Sequence, residues 1–377
     1  MTGSSIGIIA LTQRAWSDRY MSEANIVLRL ARRHPVVWVT PAHHWRDTFS
    51  RLLSRTPAFL RVADALTIYT PPAYLPSTYR PAALRRWLRA RRLARARWYL
   101  LRQGCERIVL YVWRPEYADA LELVSHDASV YHIVDEYSFS PDDPPTSEQE
   151  ARLIEAVDRL IVHSPGLQEK KGRADGMSFI PNGVDYEACA SVSAEPSDLA
   201  AIPHPRVGYC GYLKRQMDWD LLTRLIDRHP DYSWVFVGAL RHRDLSDLIE
   251  DLARRTNVYF LGGKTSEELM RYPQHFDVCI MPYSQDNYTR YIFPLKLHEY
   301  LASGTPTIGT PIRSLLEYED VVLLADGVEE WTQALELAID PASSAPEMVQ
   351  SRRRVARDHD WETLADQIDV LIREAVA

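Results

Sequence analysis

The chain has 377 residues, more than one hydrophobic core usually serves, so its length predicts two domains. Hydrophobic residues make up 46% and charged residues 25%, which is typical of a globular protein. The formal net charge of -7 argues against general nucleic-acid binding, which requires a basic surface, so we expect no nucleic-acid partner.

The four cysteines are scattered and form no CxxC pair, which indicates neither a zinc site nor a disulfide framework. The first apolar run, Ile6 to Leu11, is too short for a signal peptide, and no run approaches 18 apolar residues. We therefore expect a cytoplasmic protein.

Short apolar runs alternate with longer amphipathic stretches along the chain. Ile6 to Leu11 is a predicted strand, Ser22 to Arg33 a helix and Val36 to Val39 the next strand. Further predicted strands are 107–112, 129–134, 159–163, 206–209, 234–237, 258–261, 278–282, 305–309 and 321–325. This rhythm predicts βαβ units, parallel sheets and an α/β fold of two doubly wound domains.

The polar stretch 191–205 is the predicted linker between these domains. It separates an N-terminal domain, 1–190, from a C-terminal domain, 206–350. We expect the last helical segment, 351–377, to cross back to the first domain. Ligands of open α/β sheets bind beyond the carboxyl ends of the strands, so a cleft facing both domains is the expected site.

The most informative segment is Phe293 to Pro306, whose pattern predicts a short helix with Pro294 at its first position and Gly304 after its end. Backbone N–H groups at such a helix start bind phosphate oxygens. Lys296 adds a positive charge where the helix dipole favours an acid, which indicates an external anion. Glu299, one turn further, can accept hydrogen bonds from a ribose diol. The alternative is a buried helix that merely packs its leucines on the sheet.

Four segments together resemble the retaining, family-four (group 1) glycosyltransferases of the GT-B architecture. They are Pro294 to Pro306, Ile180 to Asp185, Val207 to Leu213 and Val258 to Gly262. The resemblance implies two Rossmann-like domains facing a central cleft, with the acceptor domain first. It also implies a nucleoside-diphosphate sugar as co-substrate, with no other cofactor and no metal.

Residue roles follow from this resemblance where the residues match. The family glutamate that binds ribose is similar to Glu299, the diphosphate site to Pro294 through Lys296, and the phosphate-approach glycine to Gly211. The implied donor-binding residues are Gly211, Tyr212, Gly262, Gly263, Asn287, Tyr291, Pro294, Leu295, Lys296 and Glu299.

Two departures concern catalysis. The family's first motif glutamate is Tyr291 here, and its usual arginine and lysine fall on Tyr212 and Met217. The departing diphosphate needs a positive charge in the absence of a metal. We therefore expect Lys296, together with Lys214 or Arg215, to supply it.

In the first domain, Asp135 follows a predicted strand at about the place where the family tends to have a histidine. It is the candidate that orients the acceptor hydroxyl or acts as its base, and the alternative is a helix-capping or loop acid. Gln13, Arg14 and Trp16 follow the first strand and are the candidate acceptor-binding residues. Trp16 either stacks on a sugar ring or packs within the protein.

Asp218-Trp219-Asp220 has the DxD form of metal-dependent transferases, but it opens a predicted helix, where acids serve as caps. Gly262 to Thr265 lacks the first glycine of a P-loop. Neither segment is assigned a ligand.

Nine arginines lie between Arg80 and Arg102, with leucines and tryptophans at nearly helical spacing. One interpretation is a helix lying on anionic lipid at the inner face of the membrane. The other is a solvated helix whose arginines pair with acids and whose apolar stripe is core.

The sequence thus predicts an enzyme that transfers a hexosyl unit from a nucleotide sugar to a hydroxyl of a glycan or lipid-linked glycan. Two alternatives stay open: a catalytically inactive binding or scaffold protein of this fold, and a sugar-nucleotide epimerase. Tyr291, Tyr212 and Met217 favour the inactive protein.

Overall fold

The computed structural model describes residues 5–16, 22–49, 57–63, 65–78, 80–137, 147–173 and 175–377. The chain divides into two compact units. The first comprises the described residues up to His163, Leu167–Ile180 and Leu364–Ala377, and the second comprises Ser164–Gly166 and Pro181–Thr363.

The first unit is built on a sheet of eight strands in the order β3-β4-β2-β1-β5-β6-β7-β8. All neighbours pair in parallel except β3 with β4. The strands are β1 Ile6–Leu11, β2 Val36–Val39, β3 Phe59–Ala63, β4 Leu66–Tyr69, β5 Arg107–Val112, β6 Ala128–Ile133, β7 Arg159–Val162 and β8 Met177–Phe179. Strands β1, β2 and β6 are buried throughout, as expected of parallel strands covered on both faces.

The second unit has a six-stranded, fully parallel sheet in the order β11-β10-β9-β12-β13-β14. The strand order reverses between β9 and β12, the place where doubly wound folds bind ligands. The strands are β9 Arg206–Cys210, β10 Ser233–Val237, β11 Val258–Phe260, β12 Val278–Met281, β13 Thr307–Gly309 and β14 Leu323–Leu324. The predicted α/β, doubly wound fold class is confirmed.

The helices connect these strands. In chain order they are α1 Ser22–Leu30, α2 Ala82–Arg102, α3 Ala120–Leu123, α4 Ser147–Ala156, α5 Pro165–Lys171, α6 Tyr186–Ala190, α7 Trp219–Arg228, α8 Ser246–Leu252, α9 Ser266–Leu269, α10 Leu295–Ser303, α11 Gly327–Ile339, α12 Pro346–Asp358 and α13 Trp361–Val376. Within the described ranges, none of these helices has the length and hydropathy needed to cross a membrane.

Residues 191–205, expected as a linker, lie inside the second unit. The carboxylate of Asp198 accepts from the Tyr272 hydroxyl at 2.8 Å and pairs with the Lys264 ammonium at 2.7 Å. The Arg206 guanidinium pairs with Glu195 at 2.5 Å. These ion pairs and hydrogen bonds, together with the buried side chains of Leu199 and Ile202, hold the segment to the second unit. Contacts between residues so far apart in sequence leave no local pattern.

The end of α13, from Leu364 onward, belongs to the first unit. His34 Nε2 lies 2.5 Å from an Asp369 carboxylate oxygen, and Arg33 donates to Asp366 at 2.5 Å. Arg373 donates to the other Asp369 oxygen at 2.9 Å. The contribution of the C-terminal segment to the first unit therefore begins at Leu364, inside the predicted segment 351–377.

Candidate functional site

The loop after β9 opens space beside a lysine. Gly211 has φ +129°, a conformation that residues with a side chain rarely adopt. A Cβ at this position would lie 3.3 Å from the Nζ atom of Lys296. A side chain at position 211 would therefore crowd the lysine ammonium, and glycine avoids this contact.

The loop after β10 fixes the position of Gly211. Gly211 N–H donates to Val237 O at 2.8 Å, and a Cβ on Gly238 would lie 1.9 Å from Gly211 O. Only glycine fits at position 238, because any side chain would displace the backbone of the β9 loop.

Helix α10 begins one residue later than predicted. Pro294 has ψ 121°, which is extended, so it is the N-cap and Leu295 is the first helical residue. No side chain caps this start and its first turn contains no acid. Such a start leaves N–H groups that the helix itself cannot satisfy. Gly304, with φ 86°, ends the helix as predicted.

Lys296 lies among aromatic rings at the start of α10. Its partly buried ammonium is 4.9 Å from the centre of the Tyr209 ring and 3.4 Å from the Tyr283 hydroxyl. Burial lowers its pKa, but Tyr209, Tyr283 and Glu299 outweigh that effect, so the pKa of Lys296 is raised. Lys296 is therefore a fixed positive charge at any physiological pH.

Lys214 and Arg215 differ in their surroundings. The Lys214 ammonium lies 5.9 Å from the centre of the Tyr283 ring, the same ring that Lys296 contacts. Arg215 is exposed, and its Nε donates to Asp244 at 2.7 Å. The structure thus brings Lys214, rather than Arg215, to the ring shared with Lys296.

Glu299 is partly buried and lies one turn beyond Lys296 on α10. Its negative charge contributes to the raised pKa of Lys296, whose largest opposing cause is burial. Leu295, also predicted to bind the donor, is partly buried in the first turn. Tyr212 is exposed, with the Arg241 guanidinium 5.6 Å from its ring centre.

The loop before α10 is a compact turn. The Asp286 carboxylate accepts from the backbone N–H groups of Tyr288 and Thr289, both at 2.8 Å, and leaves Asn287 exposed at the tip. Ser164 Oγ donates to the Tyr291 carbonyl at 2.6 Å. This hydrogen bond fixes the backbone of Tyr291, the residue at the position of the family glutamate.

The glycine pair after β11 is exposed. Gly262 has φ +71°, and nothing lies within 4 Å of where its Cβ would be. A Cβ on Gly263 would lie 3.2 Å from that of Ala239, in the loop after β10. The following residues form no phosphate loop, because Thr265 and Glu268 make a capping box at the start of α9.

A second network at α10 involves residues to which the sequence assigned no role. Asn182 Nδ2 donates to Phe293 O at 2.8 Å, and His298 Nδ1 lies 2.8 Å from Asn182 O. Both side chains are buried. The only signal in the sequence is that each residue sits inside one of the four matching segments.

In the first unit, Asp135 follows β6 and is partly buried. Burial raises its pKa and is the largest influence on it, while the Glu136 N–H and nearby Arg114, Lys171 and Arg14 oppose the rise. Its Oδ1 accepts from the Glu136 N–H at 2.9 Å. Glu136 itself is buried and pairs with Lys171 at 3.0 Å, a contact that no sequence pattern indicated.

The loop after β1 supports the packing interpretation of Trp16. Its ring meets that of Trp38 edge-on, with the centroids 5.1 Å apart. Trp38 Nε1 donates to Arg14 O at 3.2 Å, while the side chains of Gln13 and Arg14 are exposed. The Trp16 ring thus packs against the protein on the side that faces Trp38.

Helix α2 agrees with the packing interpretation of the arginine-rich segment on one face and exposes apolar side chains on another. One face is core, and its buried residues are Leu88, Arg92, Leu93, Ala96 and Leu100. Arg86 and Arg89 pair with Glu122 and Asp119. On the opposite face Trp87 and Trp98 are each 51% exposed, and Leu84 and Leu101 are exposed too.

Asp218 is the N-cap of α7, where its side chain accepts from the Leu221 N–H at 2.9 Å. The capping interpretation of the DxD segment is therefore confirmed. Over the described ranges, no group of three or more His, Cys, Asp or Glu side chains is arranged to hold a metal ion.

Two doubly wound sheets, with the uncapped start of α10 and Gly211 near the strand-order reversal of the second, define a GT-B-like protein. Residues 204–340 match the family model described as Glycosyl transferases group 1, which confirms the resemblance over that region.

Relatives and solved structures agree with this class. A Bacillus subtilis protein described as the teichuronic acid biosynthesis glycosyltransferase TuaH is 29% identical over 231 residues, 58% of this chain and 57% of that protein. D-inositol 3-phosphate glycosyltransferase from Corynebacterium urealyticum is 28% identical over 255 residues, 59% of this chain and 58% of that protein. The chain thus spans less than three fifths of the curated relatives it matches. Sucrose-phosphate synthase from Thermosynechococcus elongatus superposes with a TM-score of 0.73 at 18% identity, covering 98% of each chain, and shows the GT-B fold.

Proposed function

We propose that the protein is a hexosyltransferase that moves a sugar from a nucleoside diphosphate to a hydroxyl of a glycan or lipid-linked glycan. One observation carries this proposal. The uncapped start of α10 holds the Lys296 ammonium at a space that Gly211 leaves open. A helix start with a fixed cation and a glycine-lined approach suits a diphosphate.

The donor is assigned to the second unit. The N–H groups at the start of α10 and the Lys296 ammonium hold the diphosphate, and Glu299 accepts from the ribose hydroxyls. Lys214 adds a second charge at Tyr283. Two lysines neutralise the leaving diphosphate, so the reaction requires no metal, and chelation by EDTA should leave the rate unchanged.

The acceptor is assigned to the first unit. Burial raises the pKa of Asp135 more than its neighbours lower it, which makes the carboxylate a better base for an acceptor hydroxyl. Gln13 and Arg14 expose polar groups after β1 for further contacts. Retention of the anomeric configuration follows from the family resemblance alone, and proton NMR of the product tests it.

A thermal-shift screen with UDP-, GDP-, ADP- and dTDP-sugars tests donor binding. A ligand at 100 times its Kd should add about 2.7 kcal/mol of stability. Glu299→Ala should abolish the shift without unfolding the protein, whereas Glu250→Ala, on the exposed side of α8, should keep it. A full shift with Glu299→Ala would place the ribose elsewhere.

The products distinguish the alternatives. A transferase releases free sugar slowly in the absence of an acceptor, an epimerase returns an isomeric sugar nucleotide, and an inactive binding protein returns the donor unchanged. The inactive protein is the second candidate, because Tyr291 replaces the family glutamate and its ring packs beside Arg290, 5.9 Å away.

We also propose that α2 holds the protein against the cytoplasmic face of an anionic membrane. Trp87 and Trp98, about 16 Å apart along the helix, are the apolar anchors, and Arg91 and Arg102 stack on them at 5.3 and 4.9 Å. The helix contains eight arginines and no acid. Each arginine near anionic lipid contributes about 1 kcal/mol, enough in sum for reversible binding.

Flotation with phosphatidylglycerol vesicles tests this surface. The wild type should float at low salt and remain free at high salt. The pair Trp87→Ala and Trp98→Ala should not float, whereas Leu316→Ala with Leu337→Ala, which changes exposed leucines of the second unit, should float like the wild type. Absence of salt-sensitive binding by the wild type would remove the membrane proposal.

A further inference from the structure

Asn182, which lies in another segment of the chain, makes two hydrogen bonds at the start of α10. Asn182 donates from its side chain to Phe293 O, just before the helix, and accepts at its backbone carbonyl from His298, in the second turn. Both hydrogen bonds are 2.8 Å long and buried. One residue thereby contacts both the irregular segment that precedes the helix and the helix itself.

The protonation of His298 follows from its partners. Its Nδ1 faces a carbonyl and so carries the proton, while its Nε2 finds no hydrogen-bond partner among the described residues. Its ring stacks on His359 at a centroid distance of 4.0 Å, and Tyr318 and Phe293 enclose it at 5.5 Å each. Burial, and secondarily His359, hold the pKa of His298 well below its ordinary value.

We propose that Asn182 and His298 are positioning residues. They fix the first turn of α10 in the orientation in which it binds the outer phosphate of a nucleoside diphosphate. This inference rests on the proposed function. Neither side chain is placed against the donor. They act through the backbone from Phe293 to Lys296, which carries the N–H groups and the ammonium.

The reason is geometric. The start of α10 has no capping side chain, so no capping hydrogen bond sets its direction. Hydrogen bonds to an anion depend steeply on distance and angle, and a small rotation of the first turn misdirects both N–H groups and Lys296. The two bonds of Asn182 set the direction on which those contacts depend.

Two substitutions of the same histidine separate this role from packing. His298→Asn places an amide N–H where Nδ1 stands and keeps the bond to Asn182 O. His298→Gln places its amide near the position of Nε2 and loses that bond. Both remove the ring from His359, so both should lower the Tm by similar amounts.

Binding is measured by calorimetry with the best of UDP, GDP, ADP and dTDP and with the matching monophosphate. His298→Asn should keep the diphosphate Kd within about threefold of the wild type, and His298→Gln should raise it about tenfold or more. The monophosphate Kd should change in neither variant. Asn182→Asp, which replaces the donor to Phe293 O by an acceptor, should resemble His298→Gln and covers the case in which that variant does not fold.

The outcomes discriminate between the two proposals. Equal diphosphate affinity in His298→Asn and His298→Gln would overturn the positioning role, as would parallel losses for the diphosphate and the monophosphate. A wild type that binds none of the four diphosphates would overturn the proposed function and this inference together. Wild-type binding with unchanged affinity in His298→Gln and Asn182→Asp would overturn only this inference.

Discussion

Replacement of Lys296 by methionine tests the charge at the start of α10. Methionine keeps an unbranched apolar stem of four atoms beside Tyr209 and Tyr283 but removes the ammonium. The reaction should therefore lose charge stabilisation, while the packing of α10 remains.

The surroundings of Lys296 indicate how much the substitution should change the reaction rate and the stability of the fold. A cation in contact with an anion in partly buried surroundings interacts by about 4 kcal/mol, and loss of one such donor typically lowers a rate by about 10²–10³. Folding changes little, because removal of a buried charge offsets the lost contacts with the rings, so we expect less than about 1 kcal/mol change in stability.

The assay is the rate of donor hydrolysis or transfer, with urea denaturation of the same samples. Lys296→Met should lose about 10²–10³ in kcat/KM with an unchanged urea midpoint. Lys214→Met should lose less, because Lys296 and not Lys214 lies in the first turn of α10, beside Gly211. Arg215→Gln should stay within about threefold, since Arg215 is exposed and paired with Asp244. Activity of Lys296→Met within tenfold of the wild type would refute the assigned role, and a large loss of stability would make it structural.

Three further outcomes follow from the packing and charges. Gly238→Ala should cost about 1–3 kcal/mol and abolish nucleotide binding, because its Cβ would lie 1.9 Å from Gly211 O; normal calorimetric binding would contradict this. Trp234→Ala, on the buried strand β10, should cost about 3–5 kcal/mol in urea denaturation, whereas a loss below about 1 kcal/mol would mean that the core refills the cavity. Burial raises the pKa of Asp369, but His34 and Arg373 outweigh it and depress the pKa. Its contribution to stability is therefore present at neutral pH and lost as the pH falls through this depressed pKa, so the deficit of Asp369→Asn should shrink between about pH 7 and pH 3; a deficit independent of pH would refute this linkage.

The sequence was informative where burial is periodic. β5 occurs at its predicted residues, and β6, β7 and β9 lie within one residue of theirs, because buried parallel strands are continuous apolar runs bounded by polar turns. The antiparallel edge formed by β3 and β4 was not predicted. Three of the five β3 residues are exposed, so this strand carries no core pattern.

The candidate site was predictable as a motif but not as a geometry. Pro294, Lys296 and Glu299 were selected from their order along one helix, and Gly211 from the family resemblance. The sequence left Lys214 and Arg215 equivalent, because both lie in one loop. Their difference arises from contacts made far along the chain, with Tyr283 and with Asp244.

By itself the sequence determined the α/β class, the strand periodicity and the short helix between Pro294 and Gly304, because these properties depend on neighbours within a few residues. The tertiary structure decided which unit contains 191–205 and where the last helix joins the first unit. It also placed Asn182 in hydrogen-bond contact with His298, which is 116 residues away in the sequence. Hydrogen bonds and ion pairs across such separations leave no period in the chain, so only the folded backbone shows them.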